Sequence, residues 1–269
     1  MRHRWLVLLV LLAGPLMHAA PTFDRERALL DSQAAIGRTV GEHTFYTTDG
    51  TLRRLSDYRG KPLVMSLVFT SCPYVCPATT QHLAKVVRKA RDVLGDASFA
   101  VVTIGFDTVR DTADRMRVFS RQQNLGIEGW DFLATDAATI EAMSKELGFQ
   151  FFPSGGGFDH LVQSTIIDGT GVIRRQVYGI EFDTPHLIEP LKVLVFGEDP
   201  AASLVEQITS RVLLFCTVYD PASDSYRFDY SIFVGLVVGL LLGGAFVIVM
   251  VREWRHRRLE LRRLVAGDG

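Results

Sequence analysis

Cysteine is scarce in this 269-residue chain, which has three. That is too few for a fold built on disulfides, and Cys72 and Cys76 stand only four positions apart, so the pair points to chemistry rather than architecture. An excess of charge is missing as well: 29 lysines and arginines meet 30 aspartates and glutamates, for a formal net charge of -1. With no general electrostatic attraction to polyanions, a nucleic-acid partner is not expected. The chain also lacks internal repeats and low-complexity segments. One substantial core with appendages is the expected organisation, because a single domain takes ~100 to 200 residues.

Both ends address a membrane. Arg2 and Arg4 precede an apolar run at 5–13, and Ala19 and Ala20 follow Gly14 and Pro15, which is the layout of an export signal. The run is too short to span a bilayer, and His18 fits poorly three places before a cleavage point. Residues 232–251 carry no charge. At ~1.5 Å per residue such a helix covers the ~30 Å hydrocarbon core. Arg252, Arg255, Arg257, Arg258, Arg262 and Arg263 follow it, whereas Asp220, Asp224 and Asp229 precede it. The positive-inside rule then makes the tail cytoplasmic and the main domain extracytoplasmic, on the periplasmic side of the cell membrane. Gly235, Gly239 and Gly243 recur every fourth residue, a spacing suited to self-association of the membrane helix. The expected division is a signal peptide at 1–20, a lead-in at 21–36, a central domain at 37–197, a linker at 198–230, a transmembrane helix at 231–251 and a basic cytoplasmic tail at 252–269.

Within the central domain, strand-like runs at 43–47 and 51–55 flank Asp49-Gly50, a hairpin signal. The short apolar runs 63–69 and 99–106 read as strands covered on both faces. Leu83, Val86, Val87, Ala90 and Leu94 recur at helical spacing within 78–94, with Pro77 in the first turn. Further helices are expected at 112–123, 137–147 and 184–196. Runs at 161–167 and 172–177 around Asp168-Gly169 form a second hairpin. Strands alternating with helices before a late antiparallel hairpin give an α/β class with a mixed sheet flanked by helices.

Cys72 and Cys76 lie where the strand 63–69 gives way to a helix, so free backbone N–H groups and the helix dipole are expected to favour thiolates. Four-residue spacing allows Cα atoms roughly 6 Å apart, which permits a redox disulfide without requiring one. Soft thiolates select Cu(I), and an added imidazole admits Cu(II). Of seven histidines, His3 and His18 belong to the leader and His256 to the tail. His82 is expected to point away from Cys72, while His43 and His186 belong to the first hairpin and the last helix. His160 remains, ahead of the strand 161–167 and after the glycine run 155–157. Asp107 and Asp159 are the carboxylates considered as support for such ligands, although neighbours in extended chain face opposite ways and Asp159 is therefore poorly placed to orient His160. Cys216, between domain and membrane helix, reads as a packed thiol.

Residues Thr70-Ser71-Cys72-Pro73-Tyr74-Val75-Cys76-Pro77, then Ile104 to Thr112, then Phe158-Asp159-His160 resemble the Sco/SenC proteins, thioredoxin-fold copper chaperones of cytochrome c oxidase assembly. The resemblance covers about residues 37 to 197. It implies a thioredoxin-like fold with Cys72, Cys76 and His160 as copper ligands, and delivery of copper to the copper-binding subunit of the oxidase. Because thiolates are needed, it also implies a dithiol reductant. Two positions depart from the family pattern: Tyr74 replaces an acidic residue between the cysteines, and Thr108 replaces a proline after Asp107. A thiol-disulfide reductase acting on the oxidase subunit's cysteines is the alternative. Against it stand the CxxxC spacing and the absence of proline between Pro153 and Pro185. A peroxiredoxin-like reading fails because Pro73 occupies the place of the threonine three residues before Cys76.

Overall fold

The computed structural model describes residues 22–197, 209, 212, 214 and 216–266. The expected signal peptide lies outside the described residues. Helix α1 (Arg25–Gln33) opens on Asp24, whose carboxylate accepts the Arg27 N–H at 3.1 Å. The lead-in thus carries an ordered helix: Ala28 and Ser32 are buried, and Gln150 donates to Asp31 at 2.5 Å.

β1 (Thr44–Thr47) and β2 (Leu52–Arg54) form the expected hairpin. β3 (Leu63–Val68) and β4 (Ala100–Gly105) are buried at every position, as their largely apolar runs require, and they pair in parallel, with the hydroxyls of Ser66 and Thr103 bonded to each other at 2.8 Å. Between them runs α2 (Val75–Leu94), which buries Leu83, Val86, Val87, Ala90 and Leu94 on one face. α3 (Ala113–Gln123) starts on the Thr112 hydroxyl cap and ends at Asn124 in the left-handed region.

β5 (Trp130–Ala134) was not anticipated; it lies parallel to β4 and antiparallel to β1. α4 (Ala137–Leu147) is capped by Asp136 and closed by Gly148. A separate two-stranded hairpin follows, β6 (Phe151–Ser154) with β7 (Gly157–His160), so the glycine run is a tight turn between paired strands. β8 (Gln163–Ile167) pairs antiparallel with both β3 and β9 (Ile173–Tyr178). The main sheet has seven strands in the order β2-β1-β5-β4-β3-β8-β9. It is the expected mixed sheet flanked by helices.

α5 (Pro185–Phe196) packs beside α2 and on β8 and β9. The expected linker contains a second unanticipated hairpin, β10 (Thr217–Asp220) with β11 (Ser225–Phe228). It leads into α6 (Ser231–Ala266), the one helix among the described residues that is long and apolar enough to cross a membrane.

Candidate metal centre

The chain leaves β3 in a turn closed by the Cys72 N–H on the Phe69 carbonyl at 3.1 Å. Cys72 therefore stands before α2 and Cys76 inside its first turn. The Cys72 sulfur accepts the Cys76 N–H at 3.3 Å, answering one of the free donors at the helix start. Both side chains are buried, at 8% and 3% relative exposure. Burial, the largest cause, pushes the Cys76 thiol well above the ordinary cysteine range, and the neighbouring Cys72 adds to it, against an opposing backbone hydrogen bond from Phe69. This reverses the sequence expectation for Cys76: its sulfur points into the core, where removal from water outweighs the helix dipole.

His160 ends β7, paired with Phe151 across the hairpin. Its ring meets Phe69, Phe106 and Phe149 edge-on at centroid distances of 6.0, 5.2 and 5.4 Å. Nδ1–H donates to the Leu161 carbonyl at 2.8 Å, so the lone pair lies on Nε2, which has no hydrogen-bond partner among the described residues. Burial holds the imidazole's proton affinity below the ordinary value, so the ring stays neutral and its lone pair stays available.

Two pockets meet at His160. A cleft of about 410 Å³ is walled by Phe69, Cys72, Tyr74, Asp159, His160 and Ile180, among others. A much tighter pocket has Cys76, Thr79, Thr80 and His160 in its lining. His160 thus shares one pocket with Cys72 and another with Cys76, although no group of three or more His, Cys, Asp or Glu side chains is assembled around a single point among the described residues. The donor set, two sulfurs and one imidazole nitrogen, suits a soft ion such as copper. The Leu161 carbonyl behind Nδ1 is the support expected of a histidine ligand.

The remaining residues fall as follows. Asp159, next to His160 on β7, is exposed at the border of the same cleft. Asp107 borders neither pocket; it faces a separate groove with Phe106 and Val109, and its carboxylate takes a 3.1 Å bond from Arg110. His82 lies against Phe182, away from the sulfurs, and His43 pairs with Glu146 at 2.8 Å. Tyr74 projects at the start of α2, 80% exposed. Cys216 is buried, as a packed thiol should be. Sequence reasoning passed over Asp111, whose carboxylate joins the cysteine turn to the loop after β4.

A family model described as SCO1/SenC matches residues 31–195. The SCO1 protein homolog of Bacillus subtilis is 24% identical over 151 residues, or 55% of this chain and 77% of that protein. The chain spans about half the length of the mammalian mitochondrial SCO2 homologs it matches. Among solved structures, yeast Sco1 with copper bound superimposes with a TM-score of 0.52 at 16% identity, covering 61% of this chain and 92% of that one. BsSco, described with a disulfide switch and as a member of the Sco family of cytochrome c oxidase assembly proteins, gives 0.54 at 20% identity, covering 60% and 96%. At these identities the likeness to solved structures is one of fold.

Proposed function

This chain belongs to the SCO1/SenC family, and on that premise we propose that it is a membrane-anchored copper donor that delivers copper to the copper-binding subunit of cytochrome c oxidase during assembly. Cys72, Cys76 and His160 hold the ion. The observation that carries the reading is the free Nε2 of His160, a neutral lone pair on a ring that borders both cysteine pockets. In this reading the hairpin of β6 and β7 and the cysteine turn come together around the ion, since the three donors are not assembled without it.

Copper is cargo in this scheme and is handed on by ligand exchange. Uptake requires both thiols reduced, since a disulfide offers no thiolate, so a dithiol reductant belongs to the cycle. The bound ion displaces the thiol protons, which makes uptake proton-releasing and favoured by rising pH. α6 anchors the donor in the plane of a membrane-bound acceptor and so raises its effective concentration. An export signal and the arginines after 251 orient the domain to the extracytoplasmic face.

The adjacent cysteines also favour a second reading, reduction of disulfides in the oxidase subunit. Val162, not a proline, precedes β8 at the place facing the cysteines, which weighs against it. The two readings separate in one experiment on the reduced full-length protein in detergent. Copper stoichiometry and disulfide-exchange rate are measured for the native chain, Cys72→Ala and His160→Ala. Copper delivery predicts about one ion per chain, lost in Cys72→Ala and weakened at least about tenfold in His160→Ala. Unchanged copper binding in His160→Ala together with collapsed exchange would establish the reductase instead.

A further inference from the structure

Asp111 precedes α3 and is 1% exposed. Its Oδ1 accepts the Thr70 backbone N–H at 2.8 Å and the Thr70 hydroxyl at 2.6 Å, and its Oδ2 accepts the Asp107 N–H at 2.9 Å. Its own N–H returns to the Asp107 carbonyl at 2.7 Å. One carboxylate therefore clamps the end of β3, two residues before Cys72, to the end of β4. The space is made for it: a Cβ on Gly105, the last residue of β4, would stand 2.4 Å from the Asp111 Cβ.

Among the described residues no cation pairs with Asp111; the nearby Arg110 pairs with Asp107 instead. A buried acid without a counter-charge is expensive, and an apolar side chain would fill the same space with less penalty. What the acid supplies is direction: three donors on two loops converge on one rigid group. An apolar residue would leave the Thr70 and Asp107 N–H groups without acceptors and the cysteine turn without its tie.

We propose that Asp111 is a positioning residue of the metal centre, holding Thr70, and through it the Cys72 backbone, where the thiol faces the same cleft as His160. The metal part of this inference rests on the copper reading above. The cysteine-pair part does not.

The test uses the full-length protein in detergent with Asp111→Asn, Asp111→Ala and Thr70→Val, beside Asp168→Asn as a variant destabilised at a turn remote from the cysteines. Two quantities are read: the equilibrium constant for oxidising Cys72 and Cys76 to a disulfide while a reference disulfide is reduced to its dithiol, in the metal-free protein, and the Cu(II) absorption and paramagnetic-resonance signature of the loaded protein. Both Asp111 variants are expected to move the constant by at least about fivefold and to alter the copper signature. Thr70→Val, which loses only the hydroxyl bond, should fall between them and the native chain. Asp168→Asn should lower the thermal midpoint and leave both quantities in place. A native constant and signature in folded Asp111→Asn, or equal movement in Asp168→Asn, would overturn the proposal. Should Asp111→Ala not fold, the other two variants decide. A native chain that takes up no copper would defeat the copper reading, while the metal-free constant still tests Asp111.

Discussion

The two cysteines differ more than their shared motif suggests. Cys72 borders the open cleft, whereas Cys76 borders only the tight pocket and its thiol is pushed up by burial. Brief alkylation of the reduced, metal-free protein should therefore modify Cys72 ahead of Cys76 by about tenfold or more, read by peptide mass spectrometry. Equal labelling would contradict this difference in access. The cysteine motif was legible from spacing alone, and residue type and place in the chain nominate His160, which lines the cleft that Cys72 also borders. The protonation of Cys76 was not legible, since it depends on which way the sulfur points from the first turn. Asp111 escaped for a similar reason: a lone acid before a helix reads as a solvated cap until the turn from β3 is seen to converge on it.

Among the elements, periodic segments and hairpins with a clear turn signal were legible, whereas β5 and the hairpins β6–β7 and β10–β11 were missed. α2 declares itself by five buried apolar positions at helical spacing, and β3 and β4 by short, largely apolar runs. β5 alternates weakly around Asp131, and β6 contains Pro153, which a strand accepts only where its N–H is not needed, as in this isolated hairpin. The turn between β8 and β9 was legible from Asp168-Gly169, and its carboxylate does more than turn the chain. Burial opposes ionisation of Asp168, but hydrogen bonds from Thr170, Val172 and Arg174 outweigh it and hold the group at about 2, against an ordinary 3.8. A depressed acid stabilises the fold above the unfolded value and loses that contribution as pH falls through the folded one. Thermal melts should thus show about 2 kcal/mol withdrawn between about pH 4 and pH 2, a slope reduced in Asp168→Asn. Gly148 closes α4 at φ +63°, and a Cβ there would meet the Asp31 carbonyl oxygen of α1 at 2.3 Å. Gly148→Ala should cost about 2 kcal/mol or more and lower the midpoint by about 4 °C or more, with α1 the first element to loosen.

At the scale of the whole molecule, the region beyond the family match is tied to the domain rather than trailing from it. Lys192, 5% exposed, donates to the Thr217 carbonyl at 2.7 Å, and Tyr226 donates to Glu189 at 2.8 Å. Asp224 at the hairpin turn meets Lys89 and Thr184. Gln163, at the start of β8, pairs with Tyr178 at the end of β9, so β9 ends on the side where the cysteines lie. Lys192→Met should speed amide exchange across 217–228 by about tenfold while copper stoichiometry stays native. Protection unchanged in that variant would mean that Lys192 does not hold the hairpin.

The central claim is that two sulfurs and one imidazole converge on a single copper ion, and X-ray absorption at the copper edge of the Cu(I)-loaded full-length protein addresses it directly. The account predicts a first shell of two sulfurs and one nitrogen, with the imidazole's outer-shell scattering lost in His160→Ala and one sulfur lost in Cys76→Ser. A native shell of sulfur alone, or one identical in His160→Ala, would contradict it.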